Sequence, residues 1–120
     1  MSTEPSTHAD TTGTSLIVQV SGDMDWETAP LLREQLLAGL ARSEGHMVLD
    51  MSAVSFCDSA GLNLLLWIWR KAAEAGTVLA LACVPVKVQR MLAMTGVDTV
   101  LRVYDTVTAA EEKRTGREGA

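Results

Sequence analysis

Short apolar runs alternate with segments of helical periodicity along the chain. The runs are residues 16–20, 47–49, 78–82 and 101–104. Because each is short, apolar or β-branched and bounded by polar or glycine-containing residues, each predicts a strand. Strands that alternate with helices imply parallel pairing through right-handed crossovers. The pattern therefore predicts an α/β fold, with a single mixed, mostly parallel sheet of four to five strands and about four helices packed on it.

A turn and a loop are predicted after the first two strands. Ser21, Gly22 and Asp23 come directly after the first, and this combination predicts a turn. Residues 50–57 follow the second, and we expect them to form a connecting loop. Asp50 would then lie at a strand end, where a loop hydrogen bond is its expected role.

The helical segments have distinct start and stop residues. The last three span residues 62–75, 85–95 and 108–114. Gly96 is suited to the left-handed conformation that ends the third helix. Either Asp25 or Thr28 is suited to the N-cap of the first helix. Its apolar residues recur at three- and four-residue steps, which predicts an amphipathic helix: Ala29, Leu32, Leu36 and Leu40.

The second helix has an apolar side and a polar side at about 100° per residue. We expect the apolar side to face the core, with Leu62, Leu65, Leu66, Trp69, Ala72 and Ala73. The polar side carries Asn63, Arg70, Lys71 and also Trp67. An exposed indole among polar residues is typical of a protein-binding hot spot. Alternatively, the Trp67 side chain folds back and covers the core, since tryptophan is usually well buried.

Length and composition predict one domain. A chain of 120 residues can bury a core without disulfide or metal support. We expect residues 1–14 to form a polar, flexible N-terminus with only a weak indication of a first strand, residues 15–114 to form the domain, and residues 115–120 to form a flexible tail. The sequence has no export signal and no apolar stretch of membrane-spanning length, so we expect a cytoplasmic protein without membrane insertion.

Charge and cysteine content narrow the expected partners. The chain has 15 acidic and 10 basic residues, a net charge of −5. It therefore lacks a general attraction to nucleic acid, and a protein partner is expected. Cys57 and Cys83 are far apart in sequence, lie in apolar surroundings and form no Cys-x-x-Cys pair. Buried free thiols are the expected interpretation, rather than a metal or redox site.

The sequence gives little support for an enzyme. A serine hydrolase needs a histidine base, and the candidates are His8, in the polar N-terminal segment, and His46, at a strand start. There is no Gly-x-Ser-x-Gly elbow, no phosphate-binding glycine loop and no cluster of metal-ligating residues. We therefore predict no catalytic residue, no cofactor and no metal.

The strongest candidate for chemistry is the start of the second helix, where Asp58, Ser59, Ala60, Gly61 and Leu62 follow one another. At a helix start the first N–H groups lack intrahelical partners and the macrodipole is positive, so a phosphate on Ser59 would be tolerated there. Aspartate and serine are also common N-caps, and a small residue pair permits tight entry into the helix. From these residues alone, a plain cap and a phosphoacceptor both remain open.

A resemblance that extends from about residue 16 to residue 112 favours the phosphoacceptor. The segments that carry it are Val20-Ser21-Gly22-Asp23-Met24-Asp25, Val48-Leu49-Asp50-Met51-Ser52, Phe56-Cys57-Asp58-Ser59-Ala60-Gly61-Leu62, Pro85-Val86-Lys87-Val88 and Met94-Thr95-Gly96. In this order they resemble the bacterial anti-sigma factor antagonists, which are single-domain STAS proteins. The resemblance implies a STAS fold for residues 15–114.

The resemblance also implies a mechanism. In that family, the unphosphorylated protein binds an anti-sigma factor with ATP-dependent serine kinase activity and releases a sigma factor. The kinase then phosphorylates the serine after the motif aspartate, here Ser59, and this ends binding. A serine phosphatase is implied by analogy. Ala60 stands where relatives often have a second hydroxyl residue, so Ser59 is the expected acceptor.

Further residues are expected at the partner surface by the same resemblance. The predicted contacts are Asp23, Asp25, Asp58, Ala60, Gly61, Leu62, Asn63 and Trp67. For Asp23 and Asp25 the alternative roles are a turn residue and a helix N-cap. Asn63 and Trp67 stand where relatives often have glycine. The competing hypothesis for the whole protein is a STAS module that does not switch, either a scaffold in a signalling complex or an accessory subunit of a membrane transporter.

Overall fold

A computed structural model describes residues 6–12 and 15–112. The chain order is β1 (Ser6–Thr12), β2 (Ser15–Met24), α1 (Ala29–Arg42), β3 (His46–Cys57), α2 (Ser59–Glu74), β4 (Val78–Ala82), α3 (Val86–Thr95), a short 3₁₀ turn (Val97–Thr99), β5 (Arg102–Tyr104) and α4 (Val107–Glu112). The strands form one sheet in the order β1-β2-β3-β4-β5. β1 is antiparallel to β2, and the other three pairs are parallel. The predicted fold class is confirmed.

The two faces of the sheet are covered differently. Successive side chains of a strand point to opposite faces, so Met47 and Leu49 of β3 join a large core on one face while Val48 faces the other. The large core also contains apolar residues of α1, α2 and α3. The second, smaller cluster is closed by Ala110 of α4. Three helices therefore lie on one face, and α2 enters that layer directly from the end of β3.

The central strands are longer than predicted. β2 continues through Ser21, Gly22 and Asp23, which were predicted as a turn. The register against β3 shifts between Gln19 and Ser21 and again between Gly22 and Asp23, where Gly22 has a φ of 90°. Such irregularities absorb turn-forming residues without ending the strand. The loop predicted for residues 50–57 was wrong for the same reason, because β3 runs on to Cys57 beside this extended β2.

The first strand had only weak support in the sequence. In the structure β1 pairs along its whole length with β2, from Ser6 opposite Ser21 to Thr12 opposite Ser15. Backbone hydrogen bonds to a single neighbour form this edge strand, and they do not require an apolar sequence. The tail predicted for residues 115–120, and residues 113–114 of the last predicted helix, lie outside the described residues.

Other local predictions are confirmed in full or in part. α3 ends at Gly96, which has a φ of 77° in the left-handed region. Asp50 accepts a hydrogen bond from the Ser52 N–H at 3.0 Å, although it lies within β3 and not at a strand end. Both thiols are free; Cys57 is buried, whereas Cys83 is only half-buried. No helix in the described part of the chain combines the length and apolar character that crossing a membrane requires.

Candidate functional site

The candidate site lies where the carboxyl ends of β2 and β3 meet the start of α2. The two strands are parallel, and Met24 pairs with Cys57 in the final register position. The Asp58 N–H then donates to the Met24 carbonyl at 3.1 Å. In the same register Asp23 lies opposite Phe56. Parallel pairing thus brings the acidic end of β2 to the edge where Ser59 begins α2.

Asp58 is the N-cap of α2. Its Oδ1 accepts hydrogen bonds from the Ala60 N–H at 2.8 Å and the Gly61 N–H at 3.2 Å. Asp58 is therefore the capping residue. Ser59 is the first residue of α2, and its side chain is exposed. Within residues 15–112 no hydrogen bond engages the Ser59 hydroxyl. The cap supplied by Asp58 therefore leaves the Ser59 side chain exposed.

Gly61 lets α2 approach the end of β2 closely. A Cβ atom at this position would lie 2.6 Å from the Cys57 Sγ and 2.6 Å from the Met24 carbonyl oxygen. Both Gly61 and Leu62 are buried. Burial gives both residues a packing role at the start of α2, and their contact with a partner stays a prediction.

Asp25 and Thr28 together form the start of α1. The Thr28 N–H donates to the Asp25 Oδ1 at 3.0 Å, and the Asp25 N–H donates to the Thr28 Oγ1 at 2.9 Å, as in a capping box. The Thr28 hydroxyl donates to the Asp23 carbonyl at 2.9 Å. Of the two predicted N-caps of α1, the structure has Thr28, which makes no side-chain cap bond into the helix. Asp25 instead accepts the Thr28 N–H in the turn before α1, and these bonds fix the backbone of the acidic segment beside Ser59.

The buried face of α2 differs from the predicted one. The residues buried on α2 include Leu64 and Ile68, whereas Ala73 is exposed and Trp69 is only half-buried. The core-facing side of α2 is therefore rotated toward Leu64 and Ile68. The reason is that α2 contacts α1 at its side as well as the sheet beneath it, so both neighbours bury its side chains.

Trp67 lies between its two predicted environments. It is half-buried and packs against the large core, and the Arg33 guanidinium of α1 lies 5.0 Å from the ring centroid. Ser59, Asn63 and Trp67 are spaced four residues apart and form one stripe along α2. The outer surface next to Ser59 is therefore the exposed Asn63, followed by an indole that Arg33 partly covers.

Three exposed apolar side chains at this edge were missed by the sequence analysis. Trp26 is 73% exposed, Phe56 is 52% exposed and Val86 is 62% exposed. They come just after β2, at the end of β3 and at the start of α3. The sequence signal that could have indicated this surface is the position of the three residues in the chain. Residues at the carboxyl ends of parallel strands lie at the same edge of the sheet. Exposed apolar groups from three elements make this edge suitable for protein contact.

The buried thiol beneath the site is not activated. Desolvation, and to a smaller extent the nearby Asp58 carboxylate, together raise the pKa of Cys57 from 9.0 to about 11. The group is therefore a neutral thiol at physiological pH, and nucleophilic chemistry depends on the thiolate. Cys57 acts as an apolar residue under the first turn of α2.

Of the two candidate histidine bases, the described one, His46, does not lie next to Ser59. His46 is buried at the opposite end of β3, where its Nδ1 lies 2.9 Å from the Ser15 Oγ. The side chain of His8 lies outside the described residues. Among those described, no group of three or more His, Cys, Asp or Glu residues is arranged to hold a metal ion.

Comparison with known proteins identifies the family. The STAS domain sequence profile matches residues 6–110. An anti-sigma F factor antagonist of Paenibacillus polymyxa is 32% identical over 91 residues, which cover 75% of this chain and 78% of that protein. The crystal structure of an anti-sigma factor antagonist from Mycobacterium paratuberculosis has a TM-score of 0.81 at 29% identity, and the match covers 90% of this chain and 92% of that one.

A more distant structure supports the fold alone. The anti-sigma factor antagonist SpoIIAA in its unphosphorylated form matches with a TM-score of 0.71 at 15% identity, over 96% of this chain and 98% of that chain.

The profile match extends over most of the chain, and the relatives at higher identity carry the same family name. The chain therefore belongs to the STAS domain family, among relatives named anti-sigma factor antagonists.

Proposed function

We propose that this protein is an anti-sigma factor antagonist that binds an anti-sigma factor with serine kinase activity, and that phosphorylation of Ser59 ends the binding. The observation that carries this proposal is the exposed Ser59 hydroxyl directly after a helix cap supplied by Asp58. A kinase can reach this hydroxyl without unfolding the protein. When the anti-sigma factor binds this protein, we expect it to release its sigma factor.

The fold is suited to tolerate the phosphate. Ser59 is the first residue of a 16-residue helix, so the phosphate would meet the positive end of the macrodipole. The Asp58 cap bonds to the Ala60 and Gly61 N–H groups do not involve the Ser59 side chain. Phosphorylation should therefore alter the surface while the first turn of α2 keeps its hydrogen bonds.

The same phosphate is poorly suited to a protein interface at this edge. It adds about −1.5 to −2 charges next to Asp58, in a region that already contains Asp23 and Asp25. The exposed apolar Trp26 and Phe56 side chains come from the ends of β2 and β3, the two strands that meet at Asp58. A dianion held against such apolar groups in a complex loses hydration without compensation. Both effects disfavour the complex more than they disfavour the free protein, which is the requirement for a binding switch.

Contacts around Ser59 complete the proposal. We assign the surface to Asp23, Asp25, Ala60, Asn63 and Trp67, which are exposed or half-buried around the start and outer face of α2. A serine phosphatase would return the protein to its binding form. No catalytic role is assigned to the protein itself.

The test is phosphate transfer to a single residue. The purified protein is incubated with ATP and each purified anti-sigma factor of the same organism, and intact mass is measured for wild type, Ser59→Ala and Ser55→Ala. Ser55 is the matched control, since it is an exposed serine four residues earlier. We expect a gain of one phosphate in wild type and Ser55→Ala and none in Ser59→Ala. Binding to an anti-sigma factor without any phosphate gain would favour a STAS module that does not switch.

A further inference from the structure

An apolar groove lies beside Ser59, between the end of β3 and the first turns of α3. Its volume is about 360 Å³. The β3 side is formed by Val54, Phe56 and Cys57, and the α3 side is formed by Val86, Lys87 and Met91. Cys57 is two residues before Ser59, so the groove opens next to the proposed phosphoacceptor.

Both walls of the groove present a large apolar side chain to solvent. Phe56 on β3 and Val86 on α3 are each more than half exposed. A single exposed apolar residue is ordinary on a protein surface. Two that line one groove form a contiguous apolar surface, and apolar or aromatic anchors in a pocket are typical of binding hot spots.

The α3 side of the groove is positive, whereas its β3 side lies close to the Asp58 carboxylate, which acts on Cys57. Among the described residues that line the groove, Lys87 is the one that carries a charge. α3 begins after Pro85 with neither a side-chain cap nor an acidic residue in its first turn, so the positive end of its macrodipole is not offset there. On a chain with a net charge of −5, the α3 side of the groove is therefore the part that favours an acidic group.

We propose that the groove receives a segment of the anti-sigma partner in which an apolar side chain is accompanied by an acidic residue. The apolar side chain would pack between Phe56 and Val86, and the carboxylate would pair with Lys87. This inference rests on the proposed function and specifies the chemistry of the partner. It also strengthens the physical basis of the switch, because a phosphate on Ser59 would bring the same sign of charge next to the acidic segment.

The test measures the dissociation constant for the anti-sigma kinase that modifies Ser59, by titration calorimetry with unphosphorylated protein. The variants are Phe56→Ser, which removes the apolar anchor, and Lys87→Glu, which reverses the charge. Arg90→Glu is the matched control, since Arg90 is an exposed cation one turn further along α3 and outside the groove lining. All substituted side chains are exposed, and circular dichroism checks that each variant is folded.

We expect both groove variants to weaken binding by about tenfold or more, and Arg90→Glu by less than about twofold. Weak binding by Phe56→Ser with normal binding by Lys87→Glu would overturn the acidic chemistry of the occupant. Normal binding by both, with phosphorylation still ending the interaction, would overturn the groove proposal and leave the switch intact. If phosphorylation leaves binding unchanged, the proposed switch fails whatever the groove variants show.

Discussion

The close approach of α2 to the end of β2 gives a sharp prediction for Gly61→Ala. The added Cβ would lie 2.6 Å from the Met24 carbonyl oxygen, which is 0.8 Å inside the 3.4 Å limit of ordinary contact. This oxygen cannot rotate away, because it is backbone and accepts the Asp58 N–H. The Cys57 Sγ lies equally close on another side. The first turn of α2 must therefore move.

The expected cost follows from a matched substitution elsewhere. Gly39→Ala also places a methyl group at a buried helical glycine, but its nearest neighbour, the Val18 Cγ2, is at an ordinary 3.4 Å. Both changes gain helix propensity of up to about 1 kcal/mol. Their difference therefore isolates the overpacking cost, which is about 1–3 kcal/mol. At this chain length each kcal/mol shifts the melting temperature by roughly 4 °C.

Urea and thermal unfolding of the two variants provide the assay. We expect Gly39→Ala to match or exceed wild type, and Gly61→Ala to melt roughly 4–12 °C below Gly39→Ala. Because the displaced turn carries Ser59, the Gly61→Ala variant should also be a poorer substrate for the kinase. Equal stability of the two variants would refute the argument that Gly61 is required for packing at the site.

Three further predictions test the surroundings of the site. Asp58→Ala should lose about 0.5–2 kcal/mol of unfolding free energy, since it removes the acceptor of two N–H groups, whereas Asp58→Asn should lose less in the same urea titration. A double-mutant cycle of Arg33→Ala and Trp67→Leu should give a coupling of about 0.5–1 kcal/mol, and zero coupling would mean that the Arg33 contact with the indole is not stabilising. The pKa of Cys57 is raised from 9.0 to about 11, so above pH 9 the unfolded chain releases a proton that the folded chain retains. Unfolding free energy should therefore fall between about pH 9 and pH 11, and Cys57→Ala should remove that part of the pH dependence.

The hydrophobic pattern predicted the architecture because it reflects burial directly. β4 was predicted at its observed bounds because residues 78–82 form a short apolar run between turn residues. The bounds of β2 and β3 were missed because a bulge and a turn use the same residue types, and only the neighbouring strand decides between them. β1 was weakly indicated because the bonds of an edge strand come from the backbone.

The local structure at the start of α2 was predicted, whereas part of the surface around it was missed. The Asp58 cap and the position of Ser59 follow from local sequence and are seen in the structure. The burial of Gly61 and the contact between Arg33 and Trp67 depend on α1 and β2, which are distant in sequence from α2. Likewise, Phe56 and Val86 form one groove only because parallel pairing brings the end of β3 next to the start of α3.

The most direct test of the account is the dissociation constant for one anti-sigma kinase, measured before and after stoichiometric phosphorylation of the wild-type protein. The modified residue is identified by peptide mass spectrometry, and circular dichroism confirms that the fold is retained. The account predicts a single phosphate on Ser59 and binding at least about a hundredfold weaker, since like-charge contacts and buried unpaired charge each cost several kcal/mol. Equal affinity of the two forms, or a phosphate on another residue, would contradict it.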